Sequence, residues 1–232
     1  MHMMLFLLVA LLAQPASSVG RIQNKVLEVP GVGSVTYGIS VPTDYSPDKP
    51  RPLILALHPG GRMPYYGSSF MRGVVLPGLG DLGAIVVAPD TPASSWNDPL
   101  ADQAVMALIG SVQKEYAIDR RRVLVTGFSM GGRGTWFIAS RHPDVFTAAI
   151  PIAASIRDET VDRLATMPTY VVHSRDDQVA PFAPAEQNAR ALEKLGRVIR
   201  FVELRGVGHY EMGSYVEPLK AAGQWIAERW GK

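Results

Sequence analysis

Val123-Leu-Val-Thr-Gly127-Phe128-Ser129-Met130-Gly131-Gly132 is the stretch on which the reading of this chain turns. Its first half is a continuous apolar run of strand character, and from Gly131 to Arg141 the residues fall into a helical period. Between them Gly127, Ser129 and Gly131 give the pattern G-x-S-x-G. A serine forced into a sharp strand-to-helix turn needs neighbours without side chains, because a Cβ there would strike the flanking strand or helix. Such a turn presents the hydroxyl, and the helix that follows aims its first amides at the same place. The Met130 N–H is therefore the first expected oxyanion donor.

The same alternation of strand and helix runs outward in both directions. Short apolar runs at 53–57, 84–88, 123–127, 148–152, 169–173 and 198–204 read as strands, several of them continuous, as strands buried on both faces are. An imperfect alternation at 34–41 reads as an edge-type strand, ended by Pro42 and a Pro/Asp-rich turn. Helical periods occupy 100–116, 131–141, 184–195 and 215–230. This order predicts an α/β fold, a mostly parallel doubly wound sheet with helices on both faces. Ligands in such sheets bind beyond the carboxyl ends of the strands.

A serine hydroxyl needs a base to take its proton, and the chain holds five histidines. His2 lies in the leader, His58 and His173 end strands, and His142 ends the helix after Ser129. His209, in Gly206-Val-Gly-His209-Tyr after the last strand, is left as the base. The base needs a carboxylate to fix its tautomer. Asp176 and Asp177 both follow the strand 169–173, and the residues alone leave the choice between them open. The chain order serine, acid, histidine is that of α/β-hydrolases rather than of chymotrypsin or subtilisin.

With these segments the chain resembles the α/β-hydrolase superfamily over essentially its whole length after the leader. Within that superfamily it is similar to secreted esterases and predicted peptidases related to feruloyl esterases and polyhydroxyalkanoate depolymerases. The resemblance is carried by Arg51-Pro-Leu-Ile-Leu-Ala-Leu-His58, by Asp119-Arg-Arg-Arg-Val-Leu-Val-Thr-Gly-Phe-Ser129-Met-Gly-Gly, and by Phe146-Thr-Ala-Ala-Ile-Pro151. The acid motif of such proteins, His-Gly-x-x-Asp-x-x-Val-Pro, aligns with His173, Asp177 and Val179, with Ser174 in the glycine position and Ala180 before Pro181. That register implies Asp177 as the acid.

The family's second oxyanion donor comes from the loop after an early strand, which here reads His58-Pro59-Gly60-Gly61-Arg62. Proline has no N–H, so the donor is expected from Gly60 or Gly61, with Gly60 preferred. His58 is expected to hold the loop rather than act as a second base. Trp96, on a polar loop after the strand 84–88, is expected to bind substrate by stacking on a sugar or aromatic acyl group. The competing reading for Trp96, and for the Tyr65-Tyr66 pair, is a plug in the core beneath the loop.

Composition narrows the classes further. Among 232 residues, 23 basic and 21 acidic ones are scattered along the chain, so no basic stripe suited to nucleic acid is present. The absence of cysteine removes disulfides, thiolate metal sites and a cysteine nucleophile. No HExxH or paired His/carboxylate spacing occurs, so neither metal nor cofactor is expected.

The apolar run 3–13 with small residues at 16–18 reads as a signal peptide over 1–18, ahead of a catalytic domain over 19–232. The run is too short to span a bilayer, although no Lys or Arg precedes it, which leaves a retained anchor as the alternative. After cleavage no stable membrane insertion is expected, and the protein would act outside the cytoplasm, secreted or periplasmic. The composition leaves the oligomeric state open. The spacing of elements allows no large cap domain, which suits an open site and esters of bulky or polymer-linked acids. The resemblance thus implies carboxylic-ester hydrolysis through an acyl-enzyme, with a serine peptidase or a non-catalytic binding protein of the same fold as alternatives.

Overall fold

The computed structural model describes residues 19–155 and 167–231. The leader expected over 1–18 lies outside the described residues. Among the described residues eight strands form one sheet in the order β1-β2-β4-β3-β5-β6-β7-β8. They are β1 (Ile22–Val29), β2 (Gly33–Ser40), β3 (Arg51–Leu57), β4 (Ile85–Pro89), β5 (Ile118–Phe128), β6 (Ala148–Ile152), β7 (Thr169–Ser174) and β8 (Ile199–Leu204). The first two pair antiparallel, β2 pairs antiparallel with β4, and β3 to β8 run parallel. This is the α/β arrangement expected, with helices on both faces.

The continuous apolar run in β3 has a simple cause. Leu53, Leu55 and Leu57 project into one core layer with α3 (Pro99–Glu115) and α4 (Met130–Arg141). Ile54 and Ala56 project to the other face, against Met71, Val74, Val75 and α6 (Val216–Trp230). Successive side chains of a strand alternate faces, so a strand covered on both sides must be apolar throughout. Asp98 caps α3 by accepting from the Leu100 amide at 2.8 Å, and Pro99 occupies a first-turn position where a missing N–H costs nothing.

Two features depart from expectation. The strand expected at an edge, β2, lies inside the sheet, because β1 forms a hairpin with it through the turn at Gly31, whose φ is +79°. β1 (IQNKVLEV) alternates only partly and leaves Val26 exposed, so it carries little apolar signal. A helical segment also fills 66–82: α1 (Tyr66–Phe70), a π-helical turn (Met71–Val75), α2 (Leu76–Leu79) and a short 3-10 turn (Gly80–Leu82). Pro77 and four glycines interrupt the helical period there. Gly78 is required by contact, since a Cβ at that position would press on the Leu219 side chain of α6.

Candidate active site

β5 ends at Phe128 and α4 begins at Met130, so Ser129 alone makes the turn. Its backbone sits at φ 56° and ψ −111°, a region that non-glycine residues rarely occupy. Two backbone bonds hold it there: the Ser129 amide donates to Ile152 O at 2.9 Å, and the Arg133 amide donates to Ser129 O at 3.0 Å. The neighbouring glycines are forced by contact. A Cβ on Gly131 would overlap the Leu57 carbonyl oxygen, one on Gly127 would overlap the Gly131 oxygen, and one on Gly132 would meet the Ile152 oxygen.

His209 arrives from the loop after β8 and places Nε2 2.8 Å from Ser129 Oγ. Its Nδ1 lies 2.7 Å from Asp177 Oδ2. A carboxylate can only accept, so Nδ1 carries the proton and Nε2 is free to accept from the serine hydroxyl. The Asp177 and His209 side chains are almost wholly buried, 0% and 5% exposed, and the Phe128 ring packs 5.2 Å from the imidazole. Asp177 Oδ1 accepts from the Val179 and Ala180 amides at 2.8 and 2.7 Å, which fixes the carboxylate.

Asp176 takes a different part. Its Oδ2 accepts from the Gly206 amide at 2.6 Å, tying the β7 loop to the start of the histidine loop. Gln178 Oε1 accepts from the His209 amide at 3.4 Å, and Glu211 Oε1 accepts from the Gly208 amide at 2.9 Å. His173, fully buried, donates Nε2–H to Ala180 O at 2.9 Å and closes the far end of the loop that carries Asp177. Burial pushes its pKa down, so it stays neutral, against the smaller opposing pull of the Ala180 carbonyl and Asp177.

The loop from His58 is braced as firmly. His58 is buried, its Nδ1 donates to Pro59 O at 2.6 Å and its Nε2 accepts from the Thr91 amide at 3.1 Å. Burial lowers its pKa, with the Pro59 carbonyl and Asp90 acting in the opposite sense. Asp90 accepts from Thr36 Oγ1 at 2.6 Å, from the Tyr65 amide at 2.9 Å and from the Gly67 amide at 2.8 Å. Those bonds hold Tyr65 at φ 56° and return the chain into α1. Met130 begins α4, so its amide has no partner within the helix. The Gly60 and Gly61 amides donate to no other group among the described residues.

Trp96 corrects its expectation. It is 0% exposed, its Nε1 donates to His58 O at 2.9 Å, and its ring lies edge-on to the His58 imidazole at 5.1 Å. Gly134 of α4 is glycine because a Cβ there would collide with Trp96. An indole enclosed in this way props the His58 loop and offers no face to a ligand. Tyr210, which sequence reasoning passed over, does offer one: it is 83% exposed beside His209, ring centres 5.5 Å apart. Asp90 was also missed, although its position just past the end of β4 marks the rim where such sheets place working residues.

The model of a PET hydrolase-like family matches residues 76–219, more than half of the chain. The chain belongs to the PET hydrolase-like family. It is 29% identical over 152 residues, 64% of its length, to a bifunctional acetylxylan esterase/xylanase of Neocallimastix patriciarum, of which the match covers 22%. It is 26% identical over 180 residues, 72% of its length, to a probable feruloyl esterase C of Aspergillus flavus, of which the match covers 64%. The chain thus spans less than two thirds of either relative. A crystal structure of a thermostable esterase superposes with a TM-score of 0.78 at 29% identity, covering 89% of this chain and 62% of that one. Among the described residues of this PET hydrolase-like chain, no cluster of three His, Cys, Asp or Glu side chains is arranged to hold a metal ion. No described helix is long and apolar enough to cross a membrane.

Proposed function

We propose that this chain is a serine hydrolase of carboxylic esters, with Ser129 as nucleophile, His209 as base and Asp177 as acid. The observation that carries this reading is the continuous relay from Ser129 Oγ through His209 to Asp177, at 2.8 and 2.7 Å, on a strained turn. Membership of the family and the names of the esterases to which the chain is similar support the reaction class.

In the reaction so read, Ser129 Oγ bonds to the ester carbonyl carbon as its proton passes to His209 Nε2. The Asp177 carboxylate stabilises the imidazolium that forms. The tetrahedral oxyanion accepts from the Met130 N–H and from an amide of the Gly60-Gly61 turn, the first helix-end amide and an otherwise undonated one. Each such donor is worth roughly 10²- to 10³-fold in kcat. Collapse breaks the bond to the alcohol oxygen, which takes the proton back from His209. Water then adds to the acyl-enzyme with His209 again as base, releasing the acid and restoring Ser129.

Esters of bulky or polymer-linked acids are the proposed substrates. The exposed Tyr210 beside His209, with Met63 and Tyr65 on the oxyanion loop, supplies apolar surface for them. Export is part of the proposal, through a leader over 1–18, supported by similarity at 23% identity to an uncharacterized secreted protein of Arthroderma benhamiae. The test is a fluorophosphonate probe together with a panel of 4-nitrophenyl, feruloyl and acetyl-sugar esters and peptide anilides. Labelling at Ser129 with turnover of esters and not anilides is the expected result. Labelling elsewhere, or none, sinks the nucleophile assignment.

A further inference from the structure

The geometry points to a carboxylate-binding subsite at Arg62, selecting esters whose acyl group ends in a free carboxylate. The inference rests on the proposed function and deepens it. A pocket of about 350 Å³ lies between the oxyanion loop and the loop after β4, lined by Gly61, Arg62, Met63, Pro64, Thr91 and Pro92 among others. Both loops leave the carboxyl ends of adjacent parallel strands. The pocket also touches His58, whose carbonyl oxygen lies against Gly131 of the nucleophile turn. The pocket shares Gly61 with the proposed oxyanion turn, and that turn follows β3, the parallel neighbour of the strand β5 that leads to Ser129.

Arg62 is the cation in this pocket, and among the described residues it has no acidic partner. Asp90 also lines the pocket, but its Oδ2 accepts from Thr36 Oγ1 and the Tyr65 amide and its Oδ1 from the Gly67 amide, so both oxygens are engaged within the fold. Arg51, Arg122, Arg141, Arg175, Arg190 and Arg205 lie within salt-bridge distance of a carboxylate, and of the described arginines without such a partner (Arg21, Arg62, Arg72, Arg120, Arg133, Arg197 and Arg200) Arg62 is the one that lines this pocket. A guanidinium carries a planar fork of donors that matches a carboxylate in two parallel bonds. With Met63, Pro64 and Pro92 beside it, the pocket offers an apolar wall for a short chain and a charged end for its terminus.

The position also fixes which part of the ester enters. His209 protonates the departing alcohol, so the alcohol lies on the β8 side of Ser129. The pocket lies on the opposite side, at β3 and β4. The acyl group is the part directed toward Arg62.

Mono(4-nitrophenyl) adipate and its methyl-capped counterpart test the inference. Their leaving groups and chains are alike, and they differ in the terminal charge. The parent should favour the free acid about tenfold in kcat/KM, an exposed arginine being partly screened by solvent. Arg62→Gln should bring the ratio near one, Arg62→Lys should retain part of it, and 0.5 M NaCl should shrink it. A ratio equal in the parent and in Arg62→Gln overturns the subsite.

Binding of monomethyl adipate and dimethyl adipate to the Ser129→Ala protein, followed by calorimetry, needs no turnover. About tenfold tighter binding of the half-ester, lost on adding Arg62→Gln, supports the subsite even if neither chromogenic ester is cleaved. That combination would reject the hydrolase reading alone. Turnover of both esters without preference would reject the subsite alone.

Discussion

Asp176 and Asp177 are consecutive, yet their carboxylates hold two points of one loop: Asp177 Oδ2 meets His209 Nδ1 at 2.7 Å, and Asp176 Oδ2 meets the Gly206 amide at 2.6 Å. Successive residues on an extended segment project differently, so one carboxylate reaches the imidazole and the other reaches the backbone that carries it. Asp177→Asn should lower kcat on a 4-nitrophenyl ester by roughly 10³- to 10⁴-fold, because an amide no longer holds the productive tautomer. Asp176→Asn should cost about tenfold or less, through looser placement of His209. Equal losses in the two variants would mean that the histidine loop, rather than the tautomer, limits the reaction.

The backbone of Ser129 stores strain at φ 56° and ψ −111°. Ser129→Gly removes the Cβ that makes this conformation costly, whereas Ser129→Ala keeps it. Both should be inactive, but the glycine variant should unfold at higher denaturant than the alanine variant, by about 1 kcal/mol after the extra chain entropy of glycine. Urea unfolding of the pair gives the comparison. Equal stabilities would mean that the turn is relaxed and the glycines around it serve close packing alone.

The proposed leader predicts a mature N-terminus near Val19, directly after the small residues at 16–18. N-terminal sequencing of protein from the culture medium or periplasm checks this. Recovery of the uncut chain in membranes would favour a retained anchor.

The parts of the fold legible in the sequence were those where burial leaves no choice of residue. β3 beyond Arg51 and the second half of β5, from Val123, are apolar because helices cover both faces. β1 was illegible because a solvent-facing hairpin strand tolerates Gln23, Asn24 and Lys25, and 66–82 because its helix is built from interrupted turns around Gly67, Pro77 and Gly78. In the site, Ser129, Asp177 and His209 each follow a strand, where topology concentrates chemistry. Trp96 follows one too, and was misjudged because a polar loop sequence does not tell which way its one large side chain turns. Its partner is a backbone oxygen, that of His58, which leaves no mark on sequence.

Glycine contacts predict two opposite outcomes from the same substitution. Gly110 lies within α3, and a methyl group at its Cα would meet nothing within 4 Å, so Gly110→Ala should stabilise by about 0.5–1 kcal/mol. Gly131→Ala drives a methyl group into the Leu57 carbonyl oxygen, a backbone atom that cannot swing aside. It should destabilise by about 3 kcal/mol or more and displace the Met130 amide from the place proposed for it at the oxyanion. Thermal melts of both variants, with kcat for Gly131→Ala where it folds, decide the matter.

Acid should weaken the fold through His58. Burial lowers its pKa in the folded protein, despite the Pro59 carbonyl and Asp90, while in the unfolded chain it titrates near the ordinary value of about 6.5. Between those two values the unfolded chain binds the extra proton and the folded protein does not. Stability is therefore complete above about pH 6.5 and falls as the pH drops below it. The geometry gives the same sign: protonation would put a second N–H on Nε2, where the Thr91 amide now donates at 3.1 Å, and turn that bond into a repulsion. The midpoint of thermal unfolding should drop between pH 7.5 and pH 5.5, and His58→Gln should start lower at pH 7.5 but fall less over the interval. His173, also held neutral by burial, contributes in the same direction, so His58→Gln should reduce the slope without abolishing it. A slope unchanged in His58→Gln would assign the acid sensitivity to His173 and to the Asp177 loop that it closes.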